Sequence, residues 1–300
     1  MKKNVLSAIL GTAALLNFSA AAAEIKQVLP LDTFAVPQRW RPAESSVTPA
    51  GELNGRPAIK WEAPIDHFSG EKKYPVGWPR TYFNTFSNKP VVPGDWKDWD
   101  SFEFDVKITL EKDPKNRSCP ISVVFACAGV KRNYTYAISK LHDGKVHSIS
   151  VPIERFSNPA KVSFWGFSIS ESSYAHGGKL TVTAGNFRLV RSSECTVAEM
   201  KLLTPAITGA DRAVKLNIRV TGPAGDVARG VPFELSCLKS GKVFRKETLP
   251  VRRGFKDIEI EIDELNLAPG KYKLTAFSGN KSKEKSVVFQ ILSSPFKVKK

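Results

Sequence analysis

Trp78-Pro-Arg-Thr-Tyr82 places an indole, a guanidinium and a phenol at every second position. If that run is extended, side chains two residues apart share a face, so Trp78, Arg80 and Tyr82 would stand together. Two aromatic plates flanking a fork of N–H donors suit a saturated ring with polar edges. The C–H faces of a pyranose pack on the rings, and its hydroxyls bond the guanidinium. Trp96 follows Pro93-Gly-Asp in turn-like sequence, so it is expected to be exposed as a third plate. Trp61, in phase with Ile59, and Trp99, beside an alternating strand, are expected in the core.

Other chemistries find less support. His67 and His176 lie in loop-like settings, and the four histidines read as isolated, without partners at ligand spacing. Neither a metal nor a cofactor is expected. The chain has no Gly-x-Ser-x-Gly elbow, no His-Glu-x-x-His pair, no phosphate-cradling glycine loop and no dinucleotide fingerprint. Glu62, Asp66, Glu71, Glu103 and Asp105 could supply paired carboxylates, but hydrolysis depends on a separation that spacing alone does not fix. Glu103 and Asp105 read more simply as the wet side of a half-exposed strand.

The elements that must hold these residues are strands. In Ser101 to Ile108, Phe102, Phe104, Val106 and Ile108 alternate with Glu103, Asp105 and Lys107. Such strict alternation is the mark of a strand with one buried face. Further strands are expected at 58–62, 81–85, 121–128, 133–139, 146–152, 162–170, 180–184 and 187–190, between Pro- and Gly-bearing turns. No helical stripe separates them, which excludes a βαβ core. Residues 24–191 thus read as one large β-sandwich module, 192–200 as a connector, and 201–294 as a smaller sandwich. In the smaller one, Val214, Leu216, Ile218 and Val220 alternate with polar residues, as do Ile258, Ile260 and Ile262. Six or seven strands at this spacing fit an immunoglobulin-like sandwich. Residues 295–300 form a basic tail.

Lys2 and Lys3, the apolar run Val5–Leu16 and Ser19-Ala-Ala-Ala-Ala23 have the layout of a signal peptide spanning residues 1–23. The expected compartment is periplasmic or extracellular, with no membrane insertion. All six tryptophans fall before residue 192, whereas the excess of basic over acidic residues is larger after residue 195. That asymmetry places recognition in the first module. The net charge of +16 is compatible with acidic glycans, cell-wall polymers or anionic lipid, and equally with a plain solvated face. Export and the lack of a nucleic-acid motif argue against nucleic acid. Cys119, Cys127, Cys195 and Cys237 allow up to two disulfides, with Cys195–Cys237 one option. Cys119 and Cys127 could not bridge along one straight strand.

Tyr74-Pro-Val-Gly-Trp-Pro-Arg-Thr-Tyr82 and Asp95-Trp-Lys-Asp-Trp-Asp-Ser-Phe-Glu-Phe-Asp105 together resemble the opening half of galactose-binding-like jelly rolls. Asp143–Pro152, Val162–Tyr174 and Leu180–Leu189 resemble their closing strands. That group includes several families of carbohydrate-binding modules. The resemblance implies a jelly-roll β-sandwich over roughly residues 30–191. Many relatives carry Asp where this chain has Asn186, so a calcium site is discounted. The second module resembles immunoglobulin-like or macroglobulin-like spacers, as in Leu267-Ala-Pro-Gly-Lys-Tyr-Lys-Leu274.

The sequence therefore reads as an exported, all-β, bacterial two-module protein. It is expected to bind a polysaccharide or glycan without catalysis, through Trp78, Arg80, Tyr82 and Trp96. The rivals are a jelly-roll polysaccharide lyase or glycoside hydrolase fragment, and a structural protein with a cell-envelope partner.

Overall fold

The computed structural model describes residues 26–68, 76–85, 94–112, 119–208, 211–278 and 284–293. The signal-peptide segment and the basic tail lie outside the described residues, as does Glu71. What is described is an all-β protein with two hydrophobic cores.

Eleven strands build the first module. They are β1 (Lys26–Pro30), β2 (Trp40–Ala43), β3 (Ser46–Leu53), β4 (Arg56–Pro64), β5 (Arg80–Asn84), β6 (Ser101–Leu110), β7 (Ile121–Cys127), β8 (Tyr134–Ile138), β9 (Val146–Pro152), β10 (Val162–Ser168) and β11 (Lys179–Ser192). One sheet runs β3-β4-β11-β6-β9, with β1 also on β11; the other runs β2-β5-β10-β7-β8. The alternation read in 101–108 is realised: Phe102, Phe104, Val106 and Ile108 are all buried. They meet Phe83, Trp165 and Phe167 from the facing sheet. Trp165 lies 4.8 Å from Phe102 in a T-shaped contact, and Phe34 reaches 4.4 Å from Phe83.

In the first module three strands were not expected from sequence. β2 and β3 contain Pro42, Pro49 and Gly51, which weaken a strand signature. Both strands sit at sheet edges, where a missing N–H costs little. β1, the third, pairs with β11 beyond a bulge between Gly185 and Arg188. That bulge also joins the two expected strands 180–184 and 187–190 into one. Asn186 takes a left-handed conformation (φ 51°) there, which turns Phe187 into the core.

The second module has β12 (Thr196–Leu202), β13 (Ala206–Thr208), β14 (Ala213–Thr221), β15 (Val231–Cys237), β16 (Val243–Leu249), β17 (Gly254–Glu261), β18 (Gly270–Phe277) and β19 (Glu284–Leu292). Its sheets run β12-β14-β17 and β13-β19-β18-β15-β16, with β13 parallel to β19. The expected connector 192–200 is corrected here. Residues 196–202 are a strand paired with β14, and Val197 is buried in the second core. Its irregular mixture, Thr-Val-Ala-Glu-Met, lacks strict alternation and hid a half-exposed edge strand.

A polar clamp joins the modules. Buried Asp100 accepts hydrogen bonds from Ser192 N (2.7 Å), Gly222 N (3.2 Å) and Arg253 Nε (2.9 Å). Arg219 donates to the Asp100 carbonyl (3.0 Å) and pairs with Glu154. Arg155 lies over the Phe255 ring at 3.6 Å.

All four cysteines are free thiols. The Cys195–Cys237 bridge is therefore not formed. Cys195 is buried in the second core, and burial pushes its thiol up to about 11, where it is inert at neutral pH. Cys127 is the buried strand thiol its apolar surroundings suggested.

Candidate functional site

β5 sits second in its sheet, between β2 and β10. Thr81 and Phe83 point into the sandwich; Arg80, Tyr82 and Asn84 face outward. Arg80 and Tyr82 therefore share a face, as their spacing required. Register brings in neighbours that sequence reading missed. Arg41 of β2 lies directly opposite Tyr82, and Ala43 opposite Arg80. On the other side Gly166 pairs with Tyr82, Ser168 with Arg80 and Phe164 with Asn84. Phe164 meets Tyr82 edge-on at 5.1 Å. The available signal was the even phase of Val162–Ser168, in which Phe164, Gly166 and Ser168 alternate with core residues Trp165 and Phe167.

Gly166 sets how flat this face is. A Cβ there would fall 1.9 Å from the Thr81 carbonyl oxygen and 2.8 Å from Tyr82 Cα. Only glycine lets β5 and β10 approach this closely. Gly166→Ala should push the strands apart and destabilise the module by about 1–3 kcal/mol. A lowered denaturant midpoint with an unchanged slope would report it.

Trp78 precedes β5 on a backbone that is pinned from beneath. Its N–H donates to Glu44 Oε2 (2.6 Å), and Arg80 Nη1 donates to its carbonyl (3.1 Å). Gly77 N donates to Glu171 Oε2 (3.0 Å), and Ile169 N donates to the Pro79 carbonyl (3.0 Å). Glu171 is 1 % exposed and also accepts from Asp66 N (3.2 Å), which ties two loops together. Burial pushes the Glu171 carboxyl above the usual carboxylate range, against those two N–H groups. The indole itself is 58 % exposed. A large aromatic ring is thus held out in water by a fixed main chain.

Trp96 does not join it. The ring is fully buried, stacked on Phe102 at 5.2 Å and packed on Phe125 and Phe156. The turn that exposes its neighbours Lys97 and Asp98 rotates the indole inward, where it plugs the end of the sandwich. Trp96 is therefore a core residue and not a plate. Trp61 is core as expected. Trp99 is only partly buried, with the Arg191 guanidinium 5.2 Å over its ring.

Of the carboxylates weighed for catalysis, Glu62, Glu103 and Asp105 lie on the opposite sheet, each beside cations. Glu62 pairs with Lys60 (3.2 Å) and Lys179 (3.4 Å), and Glu103 with Arg188 (3.1 Å), all on the opposite sheet. Asp105 is not on a wet face: it is 2 % exposed. Asn54 (2.7 Å), Asn186 (2.9 Å) and Ser148 (2.7 Å) donate to it, with Arg188 close by. Burial opposes its charge, but those donors outweigh it and hold the carboxyl below the usual range. A depressed folded value means stability that is present above the ordinary carboxylate range and lost as pH falls through the folded value. Asp105→Asn should abolish that part of the acid sensitivity. Denaturant melts at about pH 5 and about pH 3 would show a smaller acid-induced loss for the variant than for the native chain.

The histidines are not all isolated. His67 N donates to His176 Nδ1 (3.2 Å), and the rings lie 5.4 Å apart. His67 Nε2 lies 3.1 Å from both the Glu171 and Tyr174 carbonyls, so the pair braces a loop. Among the described residues no group of three or more His, Cys, Asp or Glu is placed to hold a metal ion.

No family model and no curated protein matches this chain. Solved structures do. The module CtCBM11 superposes with a TM-score of 0.38 at 16 % identity, covering 57 % of this chain and 97 % of its own. CBM28, a carbohydrate-binding module specific for non-crystalline cellulose, gives 0.33 at 17 % identity over 51 % and 87 %. The mannan-recognising module TmCBM27 gives 0.30 at 13 % identity over 55 % and 95 %.

Proposed function

We propose that this is an exported, non-catalytic carbohydrate-binding protein of bacterial type. Its jelly-roll module would grip a glycan across the outer face of the sheet β2-β5-β10-β7-β8. The carrying observation is an exposed Trp78, held by its main chain two residues before the outward-facing Arg80 and Tyr82, with Phe164 against Tyr82. Exposing an indole forgoes the stability its burial would give, so a rigid exposed ring flanked by donors is what a stacking site requires. Trp78 and Tyr82 serve as plates in this reading, and Arg80 as polar arm.

The second module acts as an immunoglobulin-like spacer. Its sheets support that reading: strands lettered A, A′, B, C, C′, E, F, G in chain order give A-B-E on one side and A′-G-F-C-C′ on the other. Residues 1–23 direct the chain to the periplasm or the exterior, where a cell-envelope polysaccharide is within reach.

A glycan array with residues 24–300 tests the binding reading. The native chain should bind a defined glycan. Trp78→Ala should weaken that binding by about thirtyfold or more, as for a stacking hot spot, with its thermal midpoint unchanged. Tyr82→Ala should act in the same direction. Binding that survives both substitutions would remove this face from consideration.

A further inference from the structure

The face proposed above has an unusual charge pattern. Its five strands, Trp40–Ala43, Arg80–Asn84, Ile121–Cys127, Tyr134–Ile138 and Val162–Ser168, contain no Asp, Glu or Lys. They carry two arginines, Arg41 and Arg80, and register places both on the outer face. Among the described residues Arg41 makes no ion pair or hydrogen bond. Arg80 donates through Nη1 to the Trp78 carbonyl. The acid that follows β2, Glu44, is engaged with the Trp78 amide. The opposite sheet behaves differently, because Lys60, Lys179 and Arg188 are matched there by Glu62, Glu103 and Asp105. The five strands thus offer two cations and no acid, Glu44 adds one carboxylate at their margin, and Arg41 has no ion-pair partner among the described residues.

From this we infer the class of glycan: one whose sugar rings carry an oxyanion, a carboxylate or a sulfate, with the Arg41 fork as its receptor. The inference rests on the carbohydrate-binding reading of this face. Arg41 stands across from Tyr82, within about 5.5 Å between Cβ atoms for directly opposed strand residues. A ring stacked on Tyr82 would thus present an equatorial substituent to the guanidinium. Planar guanidinium binds carboxylate through two parallel N–H donations, which a neutral hydroxymethyl group cannot accept. Small residues on the same face, Ala43 opposite Arg80 and Gly166 opposite Tyr82, add no bulk beside these two side chains.

Affinity electrophoresis with the protein lacking residues 1–23 tests this. The probes are alginate, carboxyl-reduced alginate, dextran sulfate and neutral dextran. Retardation by alginate or dextran sulfate is expected, and which of the two binds identifies the oxyanion. Arg41→Gln should weaken that binding about tenfold, and Arg41→Lys should restore it only in part. Lys239→Gln, an equal charge change on the exposed surface of the second module, should leave it unaltered. Equal retardation by the neutral polymers would overturn the oxyanion while leaving carbohydrate binding intact. Acidic binding that ignores Arg41→Gln would overturn the site in favour of a diffuse basic surface. Retardation by none of the four polymers would also overturn the oxyanion inference. If the glycan array is blank as well, the carbohydrate-binding reading falls with it.

Discussion

Trp96→Ala will cost the first module about 3–5 kcal/mol of unfolding free energy, whereas Trp78→Ala will leave stability within about 0.5 kcal/mol. The two tryptophans have similar sequence settings and opposite fates. The Trp96 indole is fully buried against Phe102, Phe125 and Phe156, so truncation leaves a cavity that rigid aromatic neighbours cannot collapse into. Trp78 contributes its backbone to the fold and its ring to solvent. Urea melts of the two variants, read beside their glycan binding, separate the roles. Trp96→Ala should lower the midpoint and leave residual binding in proportion to the folded fraction. Trp78→Ala should do the reverse. A Trp96→Ala chain as stable as the native one would mean that the indole does not plug the sandwich.

The second large effect is expected at the junction. Asp100→Ala should destabilise the native arrangement by about 3 kcal/mol and separate the unfolding of the two modules into two transitions. The Asp100 carboxylate is buried and accepts from Ser192 N, Gly222 N and Arg253. Deleting it strands a guanidinium and two main-chain N–H groups, each of which then needs water to enter the interface. Gly222 and Arg253 belong to the second module, so these bonds carry cooperativity between two otherwise separate cores. Differential scanning calorimetry reads both consequences: a calorimetric to van't Hoff enthalpy ratio near one for the native chain, and clearly above one for the variant. A single unaltered transition in Asp100→Ala would show that the clamp is not what couples them.

Much of this architecture was legible because β-sandwiches write their burial into a period of two. Phe102 to Ile108, Val214 to Val220 and the mixed run Arg80–Asn84 each declare an inner and an outer side, and the structure keeps the inner side of each, although Asp105 on the outer side of the first is covered. That is why Arg80 and Tyr82 could be placed on one face in advance. Strands at the sheet margins were less legible. The run of β2 is broken by Pro42, that of β3 by Pro49, and β12 mixes Thr196, Glu199 and Lys201 among apolar residues without strict alternation, since edge strands need neither an unbroken row of N–H donors nor two apolar sides.

The sequence by itself determined the fold class and the phase of strands such as Phe102–Ile108 and Val214–Val220, because alternation is a local property of the chain. Only the tertiary structure decided which residues from distant strands stand beside one another. Pairing brought Arg41 and Phe164 to Tyr82 across 41 and 82 positions of sequence, and no local pattern encodes a register between strands so far apart. It likewise separated Trp78 from Trp96. Whether a tryptophan in a turn faces water depends on what packs above it, and that is set by the other sheet.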